Sequence, residues 1–166
     1  MAKSGDIIEH PVTGERLIFR QTAHETGGAL LQGELIIKPH GFVAAKHIHP
    51  KQEEHFEVLA GSIRLQLMDT DSVIHTGENA IVPAGAPHAW WNEGDDEARV
   101  MVNVRPALRI EEFFETFFGL AQAGRVDQKT GLPNAVQLAL LMREFKNEIR
   151  VVQPPEAVQG VLFGVL

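Results

Sequence analysis

The sequence predicts an all-β sandwich or small barrel over the first 107 residues, followed by a short helical extension. Short runs of alternating apolar residues continue up to Ala107, as in Ile63, Leu65 and Leu67, and such alternation is typical of half-buried strands. Glycine, proline or acidic residues separate the runs, and many short, evenly spaced strands are typical of sandwiches and barrels. After Pro106 the apolar period changes to that of a helix.

Eight strands are predicted in this N-terminal part. Their ranges are residues 16–22, 29–38, 54–60, 62–68, 73–76, 79–82, 88–92 and 98–105. Gly61 lies between two apolar runs with no room for a long loop, so we expect a positive φ there and a tight hairpin. Pro83 and Gly85 predict a turn just before His88.

Two amphipathic helices are predicted after Pro106. The first ends near Gly124 and has apolar residues at the i, i+3, i+4, i+7, i+8 and i+11 positions, which are Ile110, Phe113, Phe114, Phe117, Phe118 and Ala121. Pro133 suits the first turn of the second helix. The expected apolar face of that helix consists of Val136, Leu140, Phe145 and Ile149. A short third element is expected to start at Pro154 and Pro155.

The chain therefore divides into a barrel over residues 1–107 and a helical tail over residues 108–166. Six of the nine phenylalanines follow Pro106, so the tail must bury its apolar surface against something. Apolar helix faces are most often core, which favours packing of the tail on an open side of the barrel. The alternatives are that the tail forms a dimer interface or that it covers a ligand pocket.

The composition argues against several classes of function. The formal net charge is −7 at pH 7, which disfavours nucleic acid and anionic membrane surfaces as partners. The chain has no cysteine, so disulfides and thiolate chemistry are excluded. Residues 1–8 lack the pattern of an export signal, and the apolar run 161–166 is far shorter than the ~20 residues of a bilayer span. We expect a cytoplasmic protein.

Two stretches of the barrel combine the residues of a metal site. The first stretch contains Gly41, His47, His49, Glu54 and Gly61, which follow one another at intervals of six, two, five and seven residues. The second stretch follows after the 15 residues 62–76. It contains Gly77, Pro83, Gly85, His88 and Asn92, at intervals of six, two, three and four residues. Three imidazoles and one carboxylate form a donor set that suits a divalent transition metal.

Strand parity directs four of these side chains to one place. His47 and His49 are two residues apart, so they leave the same face of an extended strand with their Cα atoms ~6.5 Å apart. Glu54 shares the inward parity with apolar residues, and a carboxylate in an apolar interior is costly unless it is paired or binds a metal. His88 supplies the third nitrogen. The other histidines lack such partners and are expected to be solvated or hydrogen-bonded; they are His10, His24, His40, His55 and His75.

Both stretches resemble the two motifs of the cupin superfamily, including the short interval between them. The motifs cover residues 41–92, and the strand pattern extends the resemblance over most of 6–107. The resemblance implies a jelly-roll barrel of six to eight strands, with the three histidines and Glu54 as metal ligands. It also implies structural roles for Gly41, Gly61, Gly77, Pro83, Gly85 and Asn92. The whole chain is similar to small single-domain bacterial cupins that carry a helical tail.

A site of this composition leaves a divalent ion with net positive charge, and an octahedral ion keeps two neighbouring coordination positions open. This favours iron, manganese, nickel or cobalt, with zinc as the alternative because it binds imidazole well. The open positions could hold a chelating enediolate, β-diketone or hydroxy acid, or one oxygen donor and O2, with the metal as Lewis acid and template. Glu54 could remain a ligand or take a proton from the substrate.

We therefore expect a metal-dependent enzyme, either dioxygenase-like or a lyase or isomerase, that acts on a small oxygen-rich molecule. The alternative is a non-catalytic module that binds or senses a small ligand. Phe56 and Trp90 share the inward parity and are expected to wall the substrate pocket, with Phe42 near its mouth; plain core packing is the alternative for these three. The resemblance also implies a homodimer, for which residues 29–38 offer a long candidate edge strand.

Overall fold

The computed structural model of the chain describes residues 1–43 and 45–152. Its strands and helices are, in chain order, β1 (Ile7–His10), β2 (Glu15–Gln21), β3 (Leu31–Ile37), β4 (His47–Ile48), β5 (Glu53–Ala60), β6 (Ser62–Leu67), β7 (Thr70–His75), β8 (Asn79–Val82), β9 (His88–Trp91), β10 (Ala98–Arg105), α1 (Ile110–Gln122), α2 (Ala135–Glu144) and β11 (Arg150–Val151). The third element expected at Pro154 and the apolar run 161–166 lie outside the described residues.

The strands form two antiparallel sheets around one hydrophobic core. The larger sheet has the order β1-β2-β3-β10-β5-β8, and the smaller has the order β11-β4-β9-β6-β7. Alternate residues of each strand face inward, as Val100, Val102 and Val104 do in β10 and Ile63 and Leu65 do in β6, all of them buried. The prediction of a jelly roll with a short helical extension is confirmed.

The eight predicted strands correspond to β2, β3 and β5 to β10, with ends that differ by a few residues. The other three strands, β1, β4 and β11, are four residues long or shorter. Two of them, β4 and β11, have only two residues each, which is too few to show any alternation of apolar and polar residues. β4 and β11 are held by pairing with strands that are distant in the sequence, whereas β1 pairs with the next strand, β2.

Gly61 has the predicted positive φ, 71°, but it is not in a hairpin. The strand before it, β5, pairs with β10 and β8, whereas the strand after it, β6, pairs with β7 and β9. The hairpin prediction is therefore wrong, and Gly61 marks the point where the chain crosses from one sheet to the other. Two adjacent apolar runs have the same sequence pattern whether they pair with each other or lie in opposite sheets.

The strand expected at a sheet edge lies inside the larger sheet. β3 pairs with β2 on one side and with β10 on the other, so the prediction of an exposed edge over residues 29–38 is wrong. On the outer face of β3, the carboxylate of Glu34 accepts hydrogen bonds from Arg20 and Arg99 and is 2% exposed. The length and apolar character of this strand therefore reflect burial on both faces.

Helix α1 has the predicted apolar face. Its buried apolar residues are Ile110, Phe113, Phe117, Phe118 and Ala121, and Phe114 is half-buried against the same core. The helix is 13 residues long. Among the residues described here, no helix is both long enough and apolar enough to span a membrane.

Helix α2 presents a different face from the one predicted. It begins after Asn134, whose side chain accepts a hydrogen bond from the backbone N–H of Gln137 at 3.0 Å, so Pro133 precedes the helix. The prediction is wrong for Val136 and Leu140, which are 60% and 59% exposed. Phe145 and Ile149, just beyond the end of the helix, are buried as predicted. Within the helix the buried residues are Leu138 and Leu141, which with Phe145 follow the i, i+3, i+7 spacing of a single helical face.

The described part of the tail, residues 108–152, is attached to the barrel at both of its ends. At its start, buried Gln52 donates hydrogen bonds to the carbonyl oxygens of Pro106 and Ala107, at 2.9 and 2.8 Å. At its end, β11 joins the smaller sheet by pairing with β4, and Val151 lies opposite His47. Between these points α1 packs beside β1. The tail therefore forms part of the same core as the barrel.

We expect Gly61→Ala to destabilise the fold more than Gly77→Ala. Both glycines have positive φ, which costs a side chain ~1–2 kcal/mol. A Cβ at Gly61 would also lie 3.0 Å from the carbonyl oxygen of Glu97 and 3.1 Å from Cα of Ala98, whereas a Cβ at Gly77 meets nothing within 4 Å. Urea unfolding of both variants measures the difference, expected to be at least ~1 kcal/mol. Equal losses would contradict the tight crossing at Gly61.

Candidate metal centre

Four buried side chains from both sheets converge on one point. One potential ligand atom from each of His47, His49, Glu54 and His88 lies within 4.8 Å of the others. His47 on β4 is paired directly with His88 on β9 in the smaller sheet, and His49 follows β4. Glu54 reaches them from β5 in the larger sheet. The structure therefore brings together all four residues that the sequence predicts as ligands.

Backbone carbonyls orient all three imidazole rings. The Nδ1 atom of His47 lies 2.8 Å from the carbonyl oxygen of Ala45, and Nδ1 of His88 lies 3.0 Å from that of Ala86. Nδ1 of His49 lies 2.6 Å from the carbonyl oxygen of Glu148 in the tail. Because a carbonyl only accepts hydrogen bonds, each Nδ1 carries the proton and each Nε2 presents a lone pair to the cluster. Such partners for the second nitrogen are usual for metal-bound histidine.

The inward-facing atoms of the cluster fit a cation. Nε2 of His88 lies 2.8 Å from Oε2 of Glu54, and Nε2 of His49 lies 3.4 Å from Oε1. None of Nε2 of His49, Nε2 of His88 and Oε2 of Glu54 has a hydrogen bond of acceptable geometry, although all three are buried. Buried polar atoms normally have partners. A metal ion at the centre would satisfy these atoms together.

Without a metal, the electrostatics of the cluster favour the metal-binding protonation states of His47, His49 and Glu54. Burial, together with the neighbouring imidazoles of His88 and His49, lowers the pKa of His47 to about 3. Burial raises the pKa of Glu54, but the imidazoles of His49 and His88 oppose this effect and bring its pKa to about 2. Burial also lowers the pKa of His88, but the neighbouring Glu54 carboxylate outweighs burial and raises it. A neutral imidazole and an ionised carboxylate are the forms that coordinate metals.

The cluster opens into a cavity whose walls are almost entirely apolar. The cavity measures about 80 Å³, several times the ~10–15 Å³ that one water molecule needs. Its walls combine inward side chains of the barrel with the tail. They are Glu15, Leu17, Leu31, Gly33, Leu35, Val43, Ala45, His47, His49, Glu54, Phe56, Trp90, Val102, Val104, Phe113, Phe114, Phe117, Phe118, Leu132, Leu138, Met142, Ile149 and Val151.

The predicted pocket residues occupy different places. Phe56 and Trp90 both line the cavity, and their ring centroids are 5.5 Å apart. Phe42 is half-buried, forms an isolated β-bridge with Trp91 and is not among the lining residues. The neighbouring Val43 lines the cavity instead.

The tail supplies a large part of the cavity wall. Four phenylalanines of α1 line the cavity, together with Leu138 and Met142 of α2 and Val151 of β11. Within one chain, the tail is expected either to pack on the barrel or to cover a pocket. The described residues of the tail do both. The backbone carbonyl of Glu148 also holds His49. Sequence patterns do not reveal this contact, because any residue type can supply a carbonyl oxygen.

Sequence reasoning also missed Glu15. Apart from the cluster, it is the one ionisable residue among the described residues that line the cavity, and it is 5% exposed. Its signal is present in the sequence: Glu15 shares the inward parity of β2 with Leu17 and Phe19, which are both buried. The same parity argument that singles out Glu54 applies to Glu15.

The remaining histidines lie away from the cluster. His24, His40 and His75 are exposed and His55 is half-buried. His10 is fully buried, and both of its ring nitrogens are hydrogen-bonded: Nδ1 accepts from the backbone N–H of Thr13 at 3.2 Å, and Nε2 lies 3.0 Å from the carbonyl oxygen of Gly131.

Comparison with known protein families agrees with this geometry. Residues 33–104 match the family model of the cupin domain, and this stretch contains all four residues of the cluster. Residues 33–104 are a cupin domain. Structural roles implied by the resemblance fit the geometry of this cupin: the side-chain amide of Asn92 donates to the carbonyl oxygens of Ile37, Lys38 and Asp96, and a Cβ at Gly41 would lie 2.7 Å from Cγ2 of Ile37.

Individual relatives match this cupin over part of their length. Protein SchB of Streptomyces halstedii is 32% identical over 90 residues, which are 54% of this chain and 63% of SchB. An oxidoreductase of Arthrobotrys oligospora is 26% identical over 82 residues, which are 45% of this chain and 32% of the oxidoreductase. The chain thus spans less than two thirds of both curated relatives.

Among solved structures, a predicted oxalate decarboxylase of Thermotoga maritima superposes with a TM-score of 0.55 and 16% identity, covering 64% of this chain and 98% of its own. At this identity the similarity establishes the fold and nothing about the reaction.

We expect the purified protein to hold about one divalent transition-metal ion per chain. The double substitution His47→Ala, His49→Ala should remove most of this metal. The reason is that two of the three nitrogen donors are lost. Elemental analysis by plasma mass spectrometry measures the content. His55→Ala is the matched control, since His55 is near Glu54 in sequence but faces away from the cluster. Equal, negligible metal in all three proteins would contradict the assignment.

Glu15 should make the fold less stable as the pH rises. Burial raises the pKa of Glu15 from 4.5 to about 7, opposed by a hydrogen bond from Thr13. Between these values the unfolded chain releases the proton and the folded chain retains it, so the free energy of unfolding falls with increasing pH. The loss is on the order of 3 kcal/mol.

Urea unfolding of metal-free wild type and Glu15→Gln at pH 4.5 and pH 8 isolates this effect, because both proteins share the titration of His10 and of the cluster. The stability of Glu15→Gln relative to wild type should increase by on the order of 3 kcal/mol between these pH values. An unchanged difference would contradict the buried position of the Glu15 carboxyl.

Proposed function

We propose that this cupin is a metal-dependent enzyme, either dioxygenase-like or a lyase or isomerase, that acts on a small molecule with oxygen donors at one end of an apolar body. The observation that carries the proposal is the position of the metal-type cluster at the wall of an apolar cavity. A purely structural metal site would be closed by its ligands and would need no adjoining space.

Each residue of the cluster has a proposed role. His47, His49 and His88 would hold a divalent ion through Nε2, and Glu54 would complete the set. Such an ion supplies Lewis-acid chemistry and a template for oxygen donors. Iron, manganese, nickel and cobalt suit open positions beside mixed nitrogen and oxygen ligands, with zinc as the alternative. The low pKa of Glu54 makes it a weak base, so we assign it first as a ligand.

The cavity walls define the rest of the substrate. The ring centroid of Phe56 lies 6.4 Å from that of His88 in the cluster, and Trp90 packs against Phe56. Phe113 and Phe117 of α1 are also part of the wall. These side chains exclude water and contact flat apolar groups, and exclusion of water strengthens electrostatic interactions at the cluster. A highly polar molecule such as a free sugar would leave its hydroxyl groups unpaired here. We therefore restrict the oxygen-rich part of the substrate to the end that faces the cluster.

The oxidoreductase name of one relative supports the redox version of this proposal. The second candidate is a ligand-binding or sensing module without turnover. The observation that favours it is the contribution of the tail to the cavity wall and to the orientation of His49, because a ligand in the cavity would contact the tail directly.

The test is oxygen uptake and product analysis with protein loaded separately with iron, nickel, manganese or cobalt, over a panel of aryl β-diketones, catechols and aromatic hydroxy ketones. We expect turnover of at least one panel member, reduced at least a hundredfold in His47→Ala. His75→Ala, an exposed histidine, is the control. Metal-dependent binding without any product would favour the sensing module. The enzyme proposal fails if metal-loaded protein neither binds nor converts any of these compounds.

A further inference from the structure

We infer that Glu15 is a second recognition point in the cavity, which accepts a hydrogen bond from a hydroxyl group of the ligand at the end opposite the metal cluster. This inference rests on the proposed function, because it concerns the same cavity and ligand. It assigns the substrate class more narrowly, as an elongated apolar molecule with chelating oxygens at one end and a hydroxyl group at the other.

Strand register places Glu15 far from the cluster. Glu15 on β2 pairs with Ile37 on β3, and Ile37 pairs with Ala98, the first residue of β10. Glu54 pairs with Val104, near the other end of β10. Six residues along a strand correspond to ~20 Å. The same cavity is nevertheless lined by both carboxylates, so it extends from one end of the larger sheet towards the other.

The Glu15 carboxyl has unused hydrogen-bonding capacity. Its Oε2 atom accepts a hydrogen bond from the hydroxyl of Thr13 at 2.7 Å, and within residues 1–43 and 45–152 no group donates to Oε1. No cation pairs with Glu15 in that part of the chain either. His10, directly opposite on β1, has both ring nitrogens engaged with Thr13 and Gly131. The position is 5% exposed, so bulk water has little access to it.

A structural role alone accounts poorly for this carboxyl. Another buried carboxylate of the larger sheet, Glu34, faces outward and binds two arginines. Glu15 faces inward among apolar side chains, where burial raises its pKa and an apolar residue would cost less. A buried polar group with a free acceptor in a ligand cavity is the usual arrangement for fixing the orientation of a ligand.

The chemistry of Glu15 defines the group that it would recognise. A carboxyl oxygen accepts a hydrogen bond whether the group is protonated or ionised, so a ligand hydroxyl suits it near neutral pH. A second carboxylate on the ligand would instead be repelled by the ionised form. The apolar walls between the two ends suit an aromatic or otherwise flat body.

The experiment measures binding of matched probes to the full chain loaded with cobalt, without oxygen. The probes are 1-aryl-1,3-butanediones with phenyl, naphthyl or biphenyl bodies, each with and without a hydroxyl at the far end of the aryl group. Dissociation constants come from calorimetry. In the wild type we expect the hydroxyl to tighten binding about fivefold for the body of matching length. The gain should disappear in Glu15→Leu and persist largely in Glu15→Gln.

Glu34→Gln is the matched control, because it removes a carboxylate from the same sheet on the opposite face, and it should retain the gain. The inference is overturned if the hydroxyl confers no gain on any body, or if the gain persists in Glu15→Leu. It is also overturned if Glu15→Leu lowers the melting temperature without changing the gain, since that result assigns Glu15 to the turn at Thr13. If the unsubstituted diketones do not bind the cobalt-loaded wild type, the ligand class assigned here is wrong and the inference is overturned, whereas the proposed function is decided by the wider panel of compounds and metals.

Discussion

The burial of one carboxylate and three imidazoles inside an apolar barrel is the constraint on which the rest of this structure depends. These groups are costly to bury there, because Nε2 of His49, Nε2 of His88 and Oε2 of Glu54 lack hydrogen-bond partners. The strand pairing of His47 with His88 and the placement of Glu54 on the opposite sheet bring them together. Three backbone carbonyls then determine which nitrogen of each ring faces inward. The cluster thus links both sheets, because its donor atoms come from both and all of them would bind the same cation.

The polar and the apolar surfaces of the cavity beside the cluster have different roles in recognising a ligand. Polar atoms are concentrated at the cluster and at Glu15, and the surface between them is made of aliphatic and aromatic side chains from both sheets and from the tail. Apolar walls contribute contact area with little preference for orientation, whereas a small number of polar groups fix the direction in which a ligand lies. The tail is therefore part of the binding site as well as part of the core.

The sequence was sufficient for the cluster because four residues of specialised chemistry recur at strand spacing, and parity alone selects Glu54 over its neighbours. It was also sufficient for α1, where a long apolar face has a clear period. It was insufficient wherever tertiary pairing decides the outcome. Gly61 crosses between sheets, 29–38 lies inside a sheet, and the face of α2 is shifted relative to Val136 and Leu140, all for reasons of long-range packing. Glu15 could have been found by the parity of β2 with Leu17.

The hydrogen bond from His49 to the carbonyl of Glu148 has a consequence for access to the interior. The tail segment that holds this ring also leads into β11, which closes the smaller sheet beside His47. Any outward swing of this segment that admits a guest would leave the Nδ1 proton of His49 without its acceptor and loosen one arm of the cluster. A guest whose bound state displaces this segment would therefore weaken the hold on the ion, and the ion would oppose binding of that guest by the same factor.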